Sequence, residues 1–236
     1  MTPLWDRLND YAAHIRGKFQ DNFTEYDEPA MADLYFKDWD DRFWHSDQVD
    51  KAHLKTIVPA DGKGLWLMHV NVFPKAGLEL PILGFDIVAG PKKITGSFMD
   101  FSPLHGVEHP YSTYMADNVK DLEWNKPREL PDWAKEIFSE SMIAVGNINT
   151  DKELDQFIAI TSDLVDYYLD NLDDMAYESE RDTSPLLNKY CFNQKKNPHL
   201  HRSILAMGIT EEDKDDYVNN VLFAEINGLH STVVVI

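Results

Sequence analysis

The chain has 236 residues, and its 41 Asp and Glu against 22 Lys and Arg give a formal net charge of −19 at pH 7. That acidity argues against general nucleic-acid binding, which needs cations to displace the counterions of phosphates. The length allows a sizeable core, and we expect one domain over residues 1–236. Cys191 is the one cysteine, which excludes an internal disulfide and a thiolate-rich metal site.

The N-terminal half of the chain predicts a helix, a loop and then a sheet. No stretch approaches the roughly 20 apolar residues of a membrane helix, and the N-terminus lacks a signal-peptide pattern, so we expect a cytoplasmic protein without membrane contact. The first fifty residues indicate a helix followed by an acidic, aromatic loop, DEPAMADLYFKDWDDRFWHSD. Strands are predicted over 65–73, 81–89 and 93–101, and their short connections favour antiparallel pairing.

The last third of the chain predicts helices. Thr150 is a candidate N-cap, and Glu153 three residues later completes a capping box. Apolar residues then recur at helical spacing, namely Leu154, Phe157, Ile158, Thr161, Leu164, Val165, Tyr168, Leu169 and Leu172. A further helix is expected from near Glu211, with Tyr217, Val218, Val221 and Leu222 facing inward. Helices on either side of a sheet in the sequence indicate an α+β sandwich.

Polar side chains interrupt one face of each predicted strand. Strict alternation groups Leu65, Leu67, His69, Asn71 and Phe73, then Ile82, Gly84, Asp86 and Val88, then Ile94, Gly96, Phe98 and Asp100. If residue 73 pairs with residue 82, His69 lies directly opposite Asp86, about 5 Å away at Cβ. Such a pair could hold and deliver a proton near neutral pH. Periodicity alone leaves the alternative open, a structural histidine beside an aspartate that faces water.

Motifs for bound cofactors are missing from the sequence. The histidines have no tight metal-ligand spacing apart from HLH at 199–201. No glycine-rich phosphate loop follows a strand, and no nucleophile elbow is present. We therefore expect no metal and no bound nicotinamide or flavin.

Several segments in the same order carry a resemblance to a known family. These are GLWLMHVNVFP, LPILGFDIVAGP, SFMDFSPL, RELPDWAKEIFSE and YCFNQKKN. Over roughly residues 50 to 225 the sequence resembles the ferredoxin-dependent bilin reductases, and it is most similar to their phycocyanobilin:ferredoxin oxidoreductase branch. Bilins are open-chain tetrapyrroles.

The resemblance implies a fold, a reaction and a pair of proton donors. The fold is a three-layer α/β/α sandwich with a central antiparallel sheet, and the substrate, biliverdin IXα, lies between the sheet and the C-terminal helices. External reduced ferredoxin supplies electrons singly to a monomeric enzyme, the bilin passes through radical states, and the protein supplies protons. The catalytic histidine and aspartate of the family fall on His69 and Asp86.

Substrate contacts carry over from the resemblance to four positions, which are Thr95, Gln194, Asn197 and His199. Thr95 matches a hydroxyl near a bilin propionate, and His199 stands where the family usually has a lysine as propionate partner. Another basic position of the family falls near Gly146, so that contact is lost. Asp100 has either a supporting role at the site or a structural one.

Lys55 is the most informative departure from the family. Phycocyanobilin-forming relatives carry a Glu in the segment matching HLKTIV, and this Glu is implicated in reduction of the D-ring vinyl group. Lys55 takes its place, so the resemblance implies phycoerythrobilin as product, formed through 15,16-dihydrobiliverdin. The alternatives are phycocyanobilin formed with another proton donor, and a bilin-binding protein without enzymatic activity.

Overall fold

The computed structural model describes residues 2–104, 109–206 and 209–228. Its strands are β1 (Thr24–Tyr26), β2 (Trp39–His45), β3 (Val49–Ile57), β4 (Trp66–Pro74), β5 (Leu78–Glu79), β6 (Ile82–Ala89), β7 (Ile94–Ser102), β8 (Ile143–Val145) and β9 (Tyr177–Glu178). Its helices are α1 (Pro3–Asn22), α2 (Pro110–Val119), α3 (Asp132–Lys135), α4 (Asp151–Asp170), α5 (Leu172–Met175), α6 (Ser184–Gln194), α7 (Pro198–Ala206) and α8 (Glu211–Asp216). A 3₁₀ turn covers Pro29–Met31, and a π-helix, Tyr217–Leu222, continues α8.

The main sheet has seven strands in the order β1-β2-β3-β4-β6-β7-β8, and every neighbouring pair is antiparallel. One face packs against α1, α2 and α4 around a large apolar core. The other face meets α6, α7 and the π-helix in a second, smaller core. The sandwich and the antiparallel sheet are thus confirmed.

Helix α4 illustrates how the sequence determines local structure. Thr150 caps the helix as predicted, because its side chain accepts a hydrogen bond from the backbone NH of Glu153 at 3.3 Å. The predicted reciprocal bond is wrong, since the Glu153 carboxylate instead accepts from the backbone NH and side-chain amide of Asn125. Glu153 thereby secures the chain before β8 against the helix. Of the predicted inward residues, Ile158 is only partly buried.

Two predictions about the sheet are wrong. The acidic, aromatic segment is not a continuous loop, because Trp39–His45 forms β2 and buries Phe43 and Trp44. Ile94 does not share a face with Gly96, because the register of β6 and β7 shifts between Val88 and Ala89. This bulge places Ile94 in the core beside α1. The predicted helix near Glu211 is confirmed, although its inward residues lie on the π-helix.

Candidate active site

His69 and Asp86 lie directly opposite each other on β4 and β6, as the sequence predicts. Nδ1 of His69 is 2.7 Å from Oδ1 of Asp86. The His69 side chain is 11 % exposed and that of Asp86 is 40 % exposed. The histidine is therefore held in the sandwich, while the carboxylate retains access to water.

A second hydrogen bond fixes the tautomer of His69. The side-chain amide nitrogen of Asn71 lies 2.9 Å from Nε2 of His69. An amide nitrogen can only donate, so Nε2 is the acceptor and the proton of the neutral ring is on Nδ1. Nδ1–H consequently donates to Asp86, and the two side chains form one proton-sharing unit.

The pair belongs to a longer row of titratable side chains, which we call the charged row. Asp41 on β2 is paired with Lys55 on β3, Lys55 with His69 on β4, and His69 with Asp86 on β6. Cross-strand neighbours lie about 5 Å apart at Cβ, so each charge acts on the next. Four adjacent strands thus bring an acid, an ammonium, an imidazole and a second acid into one line.

Lys55 is buried in this row, with 3 % of its surface exposed. Its Nζ lies 4.6 Å from the ring centre of Trp39 and 4.9 Å from that of Tyr217. Burial lowers the pKa of the ammonium, although the nearby carboxylates of Asp41 and Asp86 act to raise it. The aromatic faces attract the cation electrostatically but are not conventional hydrogen-bond acceptors.

A second histidine–aspartate pair lies beside the first. Nε2 of His53 is 2.7 Å from Oδ1 of Asp41, and the Tyr217 hydroxyl donates to the same oxygen at 2.6 Å. Burial lowers the pKa of His53 to about 4, so its ring is neutral and Nε2–H donates to Asp41. Nδ1 of His53 is then a buried acceptor with no partner among the described residues.

Comparison with known proteins identifies the family of this chain. The profile of the family "Ferredoxin-dependent bilin reductase" matches residues 24–224. The chain belongs to this family. Over 183 residues it is 31 % identical to the phycocyanobilin:ferredoxin oxidoreductase of Synechococcus sp. (strain CC9902), covering 73 % of this chain and 70 % of the relative. The corresponding protein of a Prochlorococcus marinus strain is 28 % identical over 179 residues, covering 73 % of this chain and 70 % of the relative.

Solved structures agree with the fold of this bilin oxidoreductase. PcyX superposes with a TM-score of 0.67 at 23 % identity, covering 93 % of this chain and 99 % of the other. Phytochromobilin synthase from tomato, solved in complex with biliverdin, has a TM-score of 0.72 at 16 % identity, covering 94 % and 84 %. At these identities the likeness concerns the fold.

Arg128 is a cation beside Thr95 and Phe98 that the sequence interpretation missed. Its guanidinium donates to the backbone carbonyl of Thr95 and lies 5.5 Å from the ring centre of Phe98. A Cβ atom on Gly146 would come within 2.7 Å of Nε of Arg128, so the glycine makes room for the arginine. A cation therefore occupies the region where the resemblance implied a lost basic contact. The sequence signal that could have identified this cation was Arg128 itself, the first residue of the segment RELPDWAKEIFSE.

The remaining predicted contacts divide into two groups. Gln194 donates to the Tyr190 hydroxyl at 2.8 Å, and that oxygen lies 2.9 Å from where a Cβ on Gly84 would stand. Gln194 is thereby connected to the strand that carries Asp86. Asn197 accepts from the backbone NH of His199 at the start of α7, and neither of these two residues hydrogen-bonds to His69 or Asp86.

Asp100 is a buried carboxylate that joins β7 to the segment after α3. It accepts hydrogen bonds from the backbone NH and the hydroxyl of Ser139 and from the hydroxyl of Ser102. Burial raises the pKa of Asp100 to about 6 despite these bonds. Its contacts are those of a structural tie.

Two cavities border this face of the sheet. One of about 600 Å³ is lined by Ile82, Leu104, Arg181, Lys189 and Tyr190 among others. Another of about 350 Å³ lies beside Lys51, Phe73 and Cys191, one residue along α6 from Tyr190. Volumes of this order suit small-molecule sites.

Residues 2–104, 109–206 and 209–228 contain no group of three His, Cys, Asp or Glu arranged to hold a metal. No helix in these ranges is long and apolar enough to span a membrane.

Proposed function

We propose that this enzyme reduces biliverdin IXα with electrons from reduced ferredoxin, and that His69 and Asp86 supply the protons. The observation that carries the proposal is the 2.7 Å hydrogen bond between these side chains, on the sheet face that meets α6 and the π-helix. The ferredoxin dependence of the family indicates the electron donor. The biliverdin complex of the tomato relative indicates the substrate.

The geometry suggests how protons reach the bilin. Each reduced double bond takes up a pair of electrons, delivered singly by ferredoxin, and a pair of protons. Asp86 is exposed enough to exchange protons with water, whereas His69 is mostly buried. Because Asn71 occupies Nε2, proton transfer between the members of the pair runs through Nδ1. Radical intermediates follow from one-electron delivery.

The bilin propionates are assigned to the part of the site beside Arg128. Arg128 is exposed, contacts the Thr95 backbone and forms no ion pair with a described acidic residue. Guanidinium groups bind carboxylates through parallel hydrogen bonds. We therefore assign one propionate to Arg128, beside Thr95, whose hydroxyl donates to the backbone carbonyl of Val88 at 3.0 Å. Gln194, Asn197 and His199 are proposed as contacts for the other parts of the bilin.

The proposed product is phycoerythrobilin, formed through 15,16-dihydrobiliverdin. Lys55 is paired with His69. By resemblance it stands where phycocyanobilin-forming relatives carry the Glu that is implicated in vinyl reduction. Phycocyanobilin is the second candidate, because the curated relatives carry that name.

Anaerobic turnover tests the proposal. Purified enzyme, biliverdin IXα and an enzymatically reduced ferredoxin are mixed, and the pigments are separated by chromatography. We expect transient 15,16-dihydrobiliverdin and then phycoerythrobilin. Phycocyanobilin as the main product would overturn the interpretation of Lys55, and unchanged biliverdin that remains bound would indicate a carrier.

A further inference from the structure

Lys55 carries hydrogen-bond donors that the protein does not use. Its ammonium is buried between the rings of Trp39 and Tyr217, and no described residue accepts a hydrogen bond from it. An ammonium has three donors, and a charged group held mostly away from water is stabilised when an acceptor pairs with it. The donors of Lys55 are therefore available to a ligand acceptor beside His69, its cross-strand neighbour.

Asp41 supplies the opposite charge without supplying that acceptor. It is paired with Lys55 across β2 and β3, yet the two side chains form no ion pair, and Oδ1 of Asp41 accepts from His53 and Tyr217. Its carboxylate is 4 % exposed, and its pKa is lowered because the bonds from His53 and the nearby Lys55 outweigh burial, which alone would raise it. The titratable groups on this face around Lys55 include Asp41, His53, His69, Asp86 and Tyr217, and farther along the face Lys51 and Tyr190.

The chemistry of a bilin identifies the acceptor. Its polar groups are propionate carboxylates, inner nitrogens and the oxygens of two terminal lactam rings. The inner N–H groups are donors and do not pair with an ammonium, and the one imine nitrogen lies among these N–H groups on the inside of the tetrapyrrole. A carboxylate is costly to bury and is served by the exposed Arg128. A lactam oxygen is a neutral acceptor on an otherwise apolar terminal ring. Such a ring suits the surroundings of the Lys55 ammonium, which lies between two aromatic side chains.

We propose that Lys55 donates a hydrogen bond to a terminal lactam oxygen of the bound bilin, and that Asp41 is a positioning residue that holds a negative charge beside this ammonium. The inference rests on the proposed function and extends it. When the bilin takes an electron from ferredoxin, negative charge spreads onto the conjugated lactam oxygen. Lys55 stabilises that charge next to His69 and Asp86, which selects this end ring for early reduction.

Vibrational spectroscopy of the bound, unreduced pigment tests the hydrogen bond directly. Resonance Raman spectra of biliverdin bound to the wild type, Lys55→Met and Lys55→Arg are compared without any electron donor. We expect one lactam C=O band to rise in frequency in Lys55→Met and to stay near the wild-type position in Lys55→Arg. Affinity for biliverdin should fall about 10- to 100-fold in Lys55→Met, as for a lost hydrogen bond to a charged group.

The outcomes separate the two proposals. Identical C=O bands in the wild type and in folded Lys55→Met, with biliverdin bound to both, would overturn the role of Lys55 and leave the proposed function standing. Failure of the wild type to bind biliverdin would overturn both. Circular dichroism and thermal melting show whether each variant is folded.

Asp41→Asn provides a second test that keeps the local hydrogen bonds. The amide oxygen of Asn can still accept from His53 and Tyr217, so only the charge is removed. Lys55 then loses its proton at lower pH, because the carboxylate that raised its pKa is gone. Protonated Lys55 should lower the frequency of the lactam C=O band, and this lowering should disappear as pH rises. We expect the midpoint of that change to lie at lower pH in Asp41→Asn than in the wild type. In Asp41→Asn/Lys55→Met we expect no pH-dependent change of the band. An unchanged midpoint in Asp41→Asn would refute the role of Asp41.

Discussion

Asp86→Asn removes an exchangeable proton from the site, together with one of the two carboxylate charges that act on Lys55. The amide oxygen can still accept from Nδ1 of His69, which lies 2.7 Å from the carboxylate oxygen. With 40 % of the side chain exposed, the substitution leaves no buried charge unpaired. Because the bond to His69 is kept, we expect the free energy of unfolding to change by no more than about 1 kcal/mol. Folding and biliverdin binding should therefore persist.

The rate should respond much more strongly than the stability. Loss of a positioned proton donor slows a reaction by about 10²- to 10⁴-fold, equivalent to roughly 3–5 kcal/mol in the barrier. The assay is a single turnover of bound biliverdin with excess reduced ferredoxin under argon, followed by absorption. Asp117→Asn on α2 is the matched control, because Asp117 is exposed and pairs with Lys120. A wild-type rate for Asp86→Asn would refute the reasoning, as would equal loss in the control.

Further predictions concern the other half of the pair, a buried acid and the ferredoxin surface. His69→Gln should stall with a long-lived coloured radical, detected by electron paramagnetic resonance; normal product without a radical would make His69 structural. The pKa of folded Asp100 is raised to about 6 by burial, so its ionisation disfavours folding. Relative to Asp100→Asn, the wild type should lose roughly 2–3 kcal/mol of unfolding free energy as pH rises from about 4 to about 6, measured by urea titration; a constant difference would contradict this. Reversing the exposed or half-buried lysines at 92–93 and 195–196 to Glu should raise the KM for ferredoxin and flatten its salt dependence while biliverdin affinity stays unchanged; unaltered ferredoxin kinetics would place docking elsewhere.

The position of His69 opposite Asp86 could be predicted because strand periodicity and short connections determine the register of β4 and β6. Alternation grouped the polar residue of each strand on one face before any distance was known. The same periodicity misplaced Ile94, because a bulge between β6 and β7 adds a residue that alternation cannot reveal.

Residues that depend on distant segments could not be found in this way. Asp41 lies in a stretch whose acids and aromatic residues are typical of a loop. In the structure this stretch forms β2, which pairs with β3 and brings Asp41 within hydrogen-bond distance of His53. Arg128 lies outside the sheet and reaches Thr95 only because Gly146 has no side chain. Local secondary-structure propensity does not predict such contacts between residues that are far apart in the sequence.

The central claim is that this bilin reductase converts biliverdin through proton supply by the His69–Asp86 pair. The most direct measurement adds reduced ferredoxin in one-electron steps to biliverdin bound to the wild type and to Asp86→Asn, and records absorption and paramagnetic resonance spectra together. We predict that the wild type passes through a radical and proceeds to a reduced bilin, while Asp86→Asn accumulates the radical and stops. Identical conversion by both proteins, or a biliverdin spectrum that persists in the wild type, would contradict the claim.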